Sequence, residues 1–338
     1  MKAQHVLYTW DYHHGQATRV LVAGLPALRG ATMKEKQAYF AEHCDHIRTS
    51  LMREPRGHSN MLGAVLTDPV TSDGDAGLIF IHPQGFFEMC GDSTFSSVAA
   101  LIDSGMVSCD NPDMEREIRL DTVAGRIDVR VQLKDGEPVA ITFDNVLSYG
   151  MDLQTLAIEG LGSVKAQLAY GGLKYAFVEA GAVGMSPLRR VPHDVLLEAG
   201  TRVWTAARNQ VQADLITLWE PLDDVAGARV ANFYAPMTIG RTPSGTGLSA
   251  RLAIETAGGR LRPGDVFVHE SLLGLRFSGR VVRTDPAGVI PAITARSFLM
   301  GTSQWILHPE DPFRYGLNFA NVAGGTKMRR LPNGDEPR

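Results

Sequence analysis

Two short segments of this sequence pair reactive side chains with glycine in a pattern suited to proton transfer on a small anion. The first reads Gly85-Phe-Phe-Glu-Met-Cys90-Gly91-Asp92-Ser93-Thr94 and continues into Ser97-Val-Ala-Ala-Leu-Ile102. The second reads Arg241-Thr-Pro-Ser244-Gly245-Thr246-Gly247 and continues into Ser249-Ala-Arg-Leu-Ala-Ile254. Each is a tight turn followed by small and apolar residues that predict a short buried helix. A helix N-terminus offers unpaired N–H groups and the positive end of the dipole. Glycine there lets the backbone approach a ligand, and carboxylate or phosphate is the natural guest. Two such turns facing each other across a cleft would hold one small anion from both sides. Cys90 also has the setting of a reactive thiol, because a helix N-terminus favours the thiolate; Cys44 and Cys109 do not.

Plainer readings stand beside these. Gly-Thr-Gly before a helix is more often an ordinary turn, and a lone cysteine is at least as often a buried apolar residue. A hydrolase nucleophile at Cys90 would call for a histidine and an acid nearby, and Pro243-Ser244-Gly245-Thr246-Gly247 is not the Gly-x-Ser-x-Gly elbow. The ten histidines show no His-Glu-x-x-His spacing, so no zinc site is expected. Lys174 follows an apolar strand, but nothing around it resembles a pyridoxal phosphate cradle.

Strand-like runs must position the two turns. Val, Ile, Leu and aromatic residues bounded by Gly, Pro and Asp occupy 19–22, 76–81, 117–133, 167–180, 214–219, 228–234, 265–271 and 275–284. Helical spacing is confined to Met33–Met52, Thr94–Ile102 and Ser249–Thr256, with Gly258 and Gly259 placed to cap the last. Cys90 and Ser244 lie about 154 positions apart, close to half of the 338 residues, which predicts two similar lobes with one turn each. A hydrophobic content of 44% and a charged content of 21% are those of a soluble globular chain. The net charge of −4 gives no electrostatic case for nucleic acid or an anionic membrane. No apolar run approaches a membrane span, and no signal-peptide core follows Met1, so a cytoplasmic address is expected. Three cysteines make neither a disulfide framework nor a paired metal motif. The tail from Arg329 to Arg338 reads as disordered.

Further residues carry a resemblance. Arg53-Glu-Pro-Arg-Gly-His58 followed by Met61 and Gly63-Ala64, Met89-Cys90-Gly91, and Arg241-Thr-Pro-Ser244-Gly245-Thr246-Gly247 with Ser249-Ala-Arg251 resemble segments of the proline racemase and hydroxyproline epimerase superfamily. Ala169-Tyr-Gly-Gly172, Tyr175-Ala176, Glu270-Ser271, Phe277 with Gly279-Arg280, and Asp311-Pro-Phe313 add to it, in the right order along nearly the whole chain. The resemblance implies an α/β (α+β), diaminopimelate-epimerase-like fold: two pseudo-symmetric lobes, each a barrel-like mixed sheet around a central helix, with the active site between them. It places one lobe at residues 1–150 plus 308–338 and the other at 151–307. It further implies that Cys90 and Ser244 are the acid/base residues on opposite sides of a substrate Cα. Backbone N–H groups at Gly91, Asp92, Gly245 and Thr246 would hold the carboxylate, and no cofactor or metal would take part. The implied partner is proline or hydroxyproline, and relatives of this kind include homodimers.

Three departures bear on the reaction. Racemases and epimerases of the family usually carry cysteine at both catalytic positions, and here the second is Ser244. A thiol serves as either base or acid, whereas a serine hydroxyl is a far poorer base without an activating partner. Relatives with threonine at this position dehydrate trans-3-hydroxy-L-proline, which needs one base only, so dehydration to a pyrroline-2-carboxylate leads. Racemisation or epimerisation through Cys90 and Ser244 is the alternative, and a non-catalytic amino-acid-binding protein is the third reading. Asp92 stands where the family usually has histidine, and Gly240 where it usually has aspartate. This exchange reads as a relocated carboxylate, with Asp92 either pairing with the substrate ammonium or capping a helix that begins near Thr94. A carboxylate so close would also oppose thiolate formation at Cys90.

Overall fold

A computed structural model of the chain describes residues 5–108, 111–235 and 237–317. Among these, eighteen strands join into one continuous mixed sheet around five α-helices. The hairpin β1 (His5–His13) and β2 (Ala17–Ala23) leads through α1 (Met33–His43) and α2 (Asp45–Met52) to β3 (Leu62–Thr67), parallel to β2. Antiparallel β4 (Ala76–His82) and the short β5 (Gly85–Phe87) follow, and α3 (Gly91–Asp103) crosses to β6 (Glu115–Thr122), parallel to β4. Strands β7 (Gly125–Lys134) and β8 (Glu137–Asp144) close this half by antiparallel pairing.

The second half repeats the order. Strands β9 (Tyr149–Ile158), β10 (Gly162–Tyr170) and β11 (Lys174–Glu179) lead through α4 (His193–Val211) to β12 (Leu215–Pro221), parallel to β11. Then come β13 (Gly227–Ala235) and β14 (Thr238–Ile239), after which α5 (Gly245–Ala257) crosses to β15 (Val266–Ser271), parallel to β13. Strands β16 (Arg276–Asp285) and β17 (Gly288–Ala295) finish the unit, and β17 pairs with β8 across the two halves. In both halves the reactive turn opens the second parallel crossover. The last strand, β18 (Phe298–Leu307), pairs with β1 and occupies the place that β9 takes beside β10. Strand β18, from Phe298 to Leu307, is thus paired with the first strand of the chain. An open edge of β1 would leave its backbone groups unpaired, and no spacing in the sequence shows which edge a strand will fill.

Local readings hold where turn residues are explicit and fail where packing decides. The apolar run 117–133 is a hairpin, β6 and β7, and 167–180 is another, β10 and β11. Met33–Met52 is two helices broken at the buried Cys44, the first opened by a capping box between Thr32 and Glu35. The 19-residue α4 escaped the pattern, partly because Gly200 interrupts it. A Cβ there would sit 2.1 Å from the Phe233 ring, so the glycine admits that ring. Helix α3 is buried from Ser93 to Ile102, and α5 from Gly247 to Ala253. One apolar cluster links them: Phe95 and Val98 on α3 reach Leu248 and Leu252 on α5 through Phe143, Phe277 and Ile293. The Phe95 ring lies 5.1 Å from Phe143 and 5.5 Å from Phe277. Each fully buried side chain of this size contributes about 1.5–3 kcal/mol, so the two helices are held as one block. No helix among the described residues is long and apolar enough to cross a membrane.

Gly171, in the turn after β10, sets how closely α5 can approach. A Cβ there would lie 2.3 Å from the Thr246 carbonyl oxygen and 2.5 Å from the Ala250 amide nitrogen, both backbone atoms. Gly171→Ala is expected to cost about 1–3 kcal/mol of stability through overpacking and to displace the Ser244 turn, lowering turnover as well. Chemical denaturation and steady-state rates check this; an unchanged midpoint with unchanged activity would contradict the close-approach role.

Candidate active site

Helix α3 begins at Gly91 with Cys90 as its N-cap, in extended backbone (φ −145°, ψ 108°). The Cys90 carbonyl accepts the first helical bond from the Thr94 amide at 2.9 Å. Helix α5 begins at Gly245 with Ser244 as its N-cap, and the Ser244 carbonyl accepts from the Leu248 amide at 2.9 Å. Cys90 and Ser244 thus hold equivalent positions, as do Gly91 and Gly245, and Asp92 and Thr246. Cys90, Ser244 and Thr246 are each half-buried and so reachable. Cys44 is buried in the core, and Cys109 lies outside the described residues.

The Cys90 thiol is less acidic than its place at a helix N-terminus suggests. The Ser93 hydroxyl and the N–H groups of Ser93 and Asp92 favour the thiolate, but burial first, and then the charge of Asp92, push the thiol up to about 12. The opposition from Asp92 is legible in the sequence; the larger effect of burial is not.

Asp92 does not cap α3, because the helix starts one residue before it. It sits in the first turn, where a carboxylate suits the dipole, and its oxygens face two other elements. His14 Nε2, in the turn between β1 and β2, lies 3.2 Å from Asp92 Oδ1. The Thr242 hydroxyl donates to Asp92 Oδ2 at 3.2 Å. Because Thr242 stands two residues before Ser244, this bond ties the Cys90 turn to the Ser244 turn. Behind His14, Nδ1 lies 3.3 Å from Ser297 Oγ, which is 3.2 Å from Ser96 Oγ on α3. Neither His14 nor Thr242 was singled out from the sequence, and nothing in its spacing points to them.

Ser244 adopts φ 67° and ψ 114°, outside the regions a non-glycine residue normally occupies, at a cost on the order of 1–3 kcal/mol. Several bonds hold it there. The Gly247 amide donates to Ser244 Oγ at 3.1 Å, and the Ser244 amide donates to Thr242 Oγ1 at 3.3 Å. Buried His269 lies beneath the turn, with Nδ1 3.3 Å from the Pro243 carbonyl oxygen. The Tyr175 phenol oxygen stands 2.9 Å from Ser244 Oγ and 2.7 Å from Thr246 Oγ1. Burial pushes this phenol up to about 12 against the pull of the two hydroxyls.

Two measurements follow from these charges. In the free protein, alkylation of Cys90 (followed by peptide mapping) should be slower near neutral pH than for an ordinary thiol of pKa about 8.5, and should still be climbing above pH 9. Asp92→Asn should speed it. An inflection below about pH 7, well under the ordinary thiol value, would contradict the burial and charge assignment. His269 is the second case, since burial, followed by the charge of Arg251, pushes it down to about 3. The unfolded chain takes up this proton near pH 6.5, its ordinary value, and the folded chain does not. Its contribution is therefore whole above that pH and is lost as pH falls toward 3. Unfolding free energies for His269→Gln should fall less steeply across that range than those of the parent; parallel curves would remove His269 from the account.

The family model described as proline racemase matches residues 10–318. The chain is similar to a 4-hydroxyproline 2-epimerase of Streptosporangium roseum, 38% identical over 334 residues, covering 94% of this chain and 99% of that protein. A proline racemase of Clostridioides difficile is 31% identical over 337 residues, covering 94% and 99%. Among solved structures, a hydroxyproline epimerase from Agrobacterium vitis with bound trans-4-hydroxy-L-proline superposes with a TM-score of 0.80 at 28% identity, covering 96% of this chain and 98% of that one. The sequence matches run almost end to end and the fold is shared, so this chain belongs to the proline racemase family.

Proposed function

We propose that the protein is a Cα epimerase or racemase of a proline-like imino acid, acting without a cofactor through Cys90 on one face of Cα and Ser244 on the other. The observation that carries this reading is the Tyr175–Ser244 contact of 2.9 Å. Serine is a weak acid–base group when it stands alone, and here a phenol stands directly against it. The relatives named as 4-hydroxyproline epimerases and proline racemase support the same choice, with 4-hydroxyproline and proline as the first substrates to try. The carboxylate would rest on the N–H groups at Gly91, Asp92, Gly245 and Thr246, between two helix N-termini. There the negative charge that spreads onto it as Cα loses its proton meets fixed positive dipoles.

In this reading Asp92 receives the substrate ammonium. Tyr234 stands near both positions, Asp92 and Gly240: its ring is 3.8 Å from a Cβ built on Gly240, and it feels the charge of Asp92. A bound ammonium would relieve the repulsion that Asp92 exerts on the Cys90 thiolate, so the base would form mainly in the substrate complex. Dehydration of trans-3-hydroxy-L-proline is the second reading, carried by the hydroxyl at position 244. In that case Cys90 alone removes the proton, and Ser244 assists the departing hydroxide.

Incubation with proline and the 3- and 4-hydroxyproline isomers in deuterium oxide separates these outcomes. Epimerisation gives Cα deuterium in both epimers, whereas elimination gives a pyrroline product from the 3-hydroxy compound without inversion of any substrate. Cys90→Ser should cost roughly 100- to 10,000-fold in turnover, as for loss of a general base, and Asp92→Asn should raise KM. Activity that survives Cys90→Ser would overturn the reading. Tight binding of an imino acid with neither exchange nor product would make the chain a binding protein on an enzyme scaffold.

A further inference from the structure

Resting on the reading of Ser244 as the second acid–base group, we propose that Tyr175 is the proton source behind it, a positioning residue that aims the Ser244 hydroxyl and restores its proton after transfer to Cα. The arrangement follows from counting hydrogen bonds. A serine oxygen has two acceptor sites and one proton. The Gly247 amide fills one acceptor site at 3.1 Å, and Tyr175 is placed to fill the other at 2.9 Å. The Thr246 hydroxyl, 2.7 Å from the phenol, then donates to Tyr175. This order, Thr246 to Tyr175 to Ser244, satisfies the buried phenol as donor and acceptor. The Ser244 proton then has Thr246 Oγ1, at a longer 3.3 Å, as its partner within the cluster, and a ligand at Cα would compete for it.

Two features show that the phenol is built into this place. Tyr175 is wholly buried, while Ser244 and Thr246 are half-exposed in front of it, so it can reach the reaction only through them. A Cβ at Gly247 would lie 3.2 Å from both Tyr175 Cε1 and Ser244 Oγ, so this glycine allows the ring to come up beneath the serine. The other half of the molecule lacks the device. Tyr175 pairs with the first residue of β12, Leu215, and its counterpart on β2, which pairs with the first residue of β3, Leu62, is Thr18. Among the described residues Thr18 Oγ1 hydrogen-bonds only to the Gln16 carbonyl oxygen, at 3.5 Å. A phenol thus stands behind the hydroxyl, and the equivalent position in the half that carries the thiol is a threonine.

The proton balance closes without any further reagent. The Cys90 thiolate takes the Cα proton, and the C–H electron pair is left on Cα and delocalised into the carboxylate. The opposite face of Cα takes the Ser244 proton, the Ser244 oxygen takes that of Tyr175, and the phenolate regains a proton from water through the half-exposed Thr246; the hydroxide so formed takes the proton that Cys90 received, which restores the thiolate. The reverse reaction runs the same chain backwards.

Tyr175→Phe, made in the parent and in Ser244→Cys, tests this. In the parent background kcat for inversion should fall about 100-fold or more with KM within threefold, as for loss of a general acid. Exchange of the Cα proton from the Cys90 side should continue without inversion. In the Ser244→Cys background, where the thiol carries its own titratable proton, the same change should cost less than about threefold. Unchanged inversion in the parent would overturn the proposal. So would an equal loss in both backgrounds, or the joint loss of exchange and inversion in a variant with the parental melting temperature, because these mark a merely structural role. Ser244→Ala with full inversion would instead sink the reading of Ser244 itself, independently of Tyr175.

Discussion

Helices α3 and α5 bury nearly every side chain that they carry, so only the sheet around them can decide where their N-terminal turns point. That is why the helices are built from Ser, Thr, Gly and Ala with a few larger anchors. Strands must close around them from several sides, and close packing leaves no room for a bulkier stripe. The apolar cluster from Phe95 to Leu252 makes the two helices one packing unit, and the β8–β17 pairing fastens the two sheets that hold them. Everything chemical about the molecule inherits this constraint. The two helix N-termini are tied together by the Thr242–Asp92 bond, and the residues at their N-caps have little freedom to be elsewhere.

On that near-symmetric frame the two sides are chemically unequal. The Cys90 side carries a carboxylate in its first helical turn, fixed between His14 and Thr242, and this charge weighs against the thiolate until something positive arrives. The first turn of the Ser244 helix carries no carboxylate, only strained backbone at its start and a cluster of hydroxyls backed by Tyr175. The Thr242–Asp92 bond joins the two sides. A residue that reads as local to one helix therefore also sets the distance between the turns.

The turn–helix units were legible because their signals are local: glycine beside a reactive residue, then small residues at helical spacing. The pseudo-repeat was legible for the same reason, as two copies of one signal half a chain apart. His14, Thr242 and Tyr175 reach the site across 78, 150 and 69 positions, and no periodicity encodes such contacts. The sign of the Cys90 shift was hidden because burial outweighs the dipole, and burial is a property of the finished packing. Asp92 shows both limits at once. Its repulsion of the thiolate could be read from adjacency, whereas a capping role at Thr94 fails because the helix begins at Gly91.

In the proposed reaction Cys90 and Ser244 face opposite sides of one substrate carbon. A crystal structure with pyrrole-2-carboxylate, whose flat ring imitates Cα after proton removal, tests it most directly. The ring is expected between Cys90 Sγ and Ser244 Oγ, with its carboxylate on the N–H groups of both helix starts and its ring nitrogen toward Asp92. A ring bound with only one of the two side chains against that carbon, or with its carboxylate away from the helix N-termini, would contradict it.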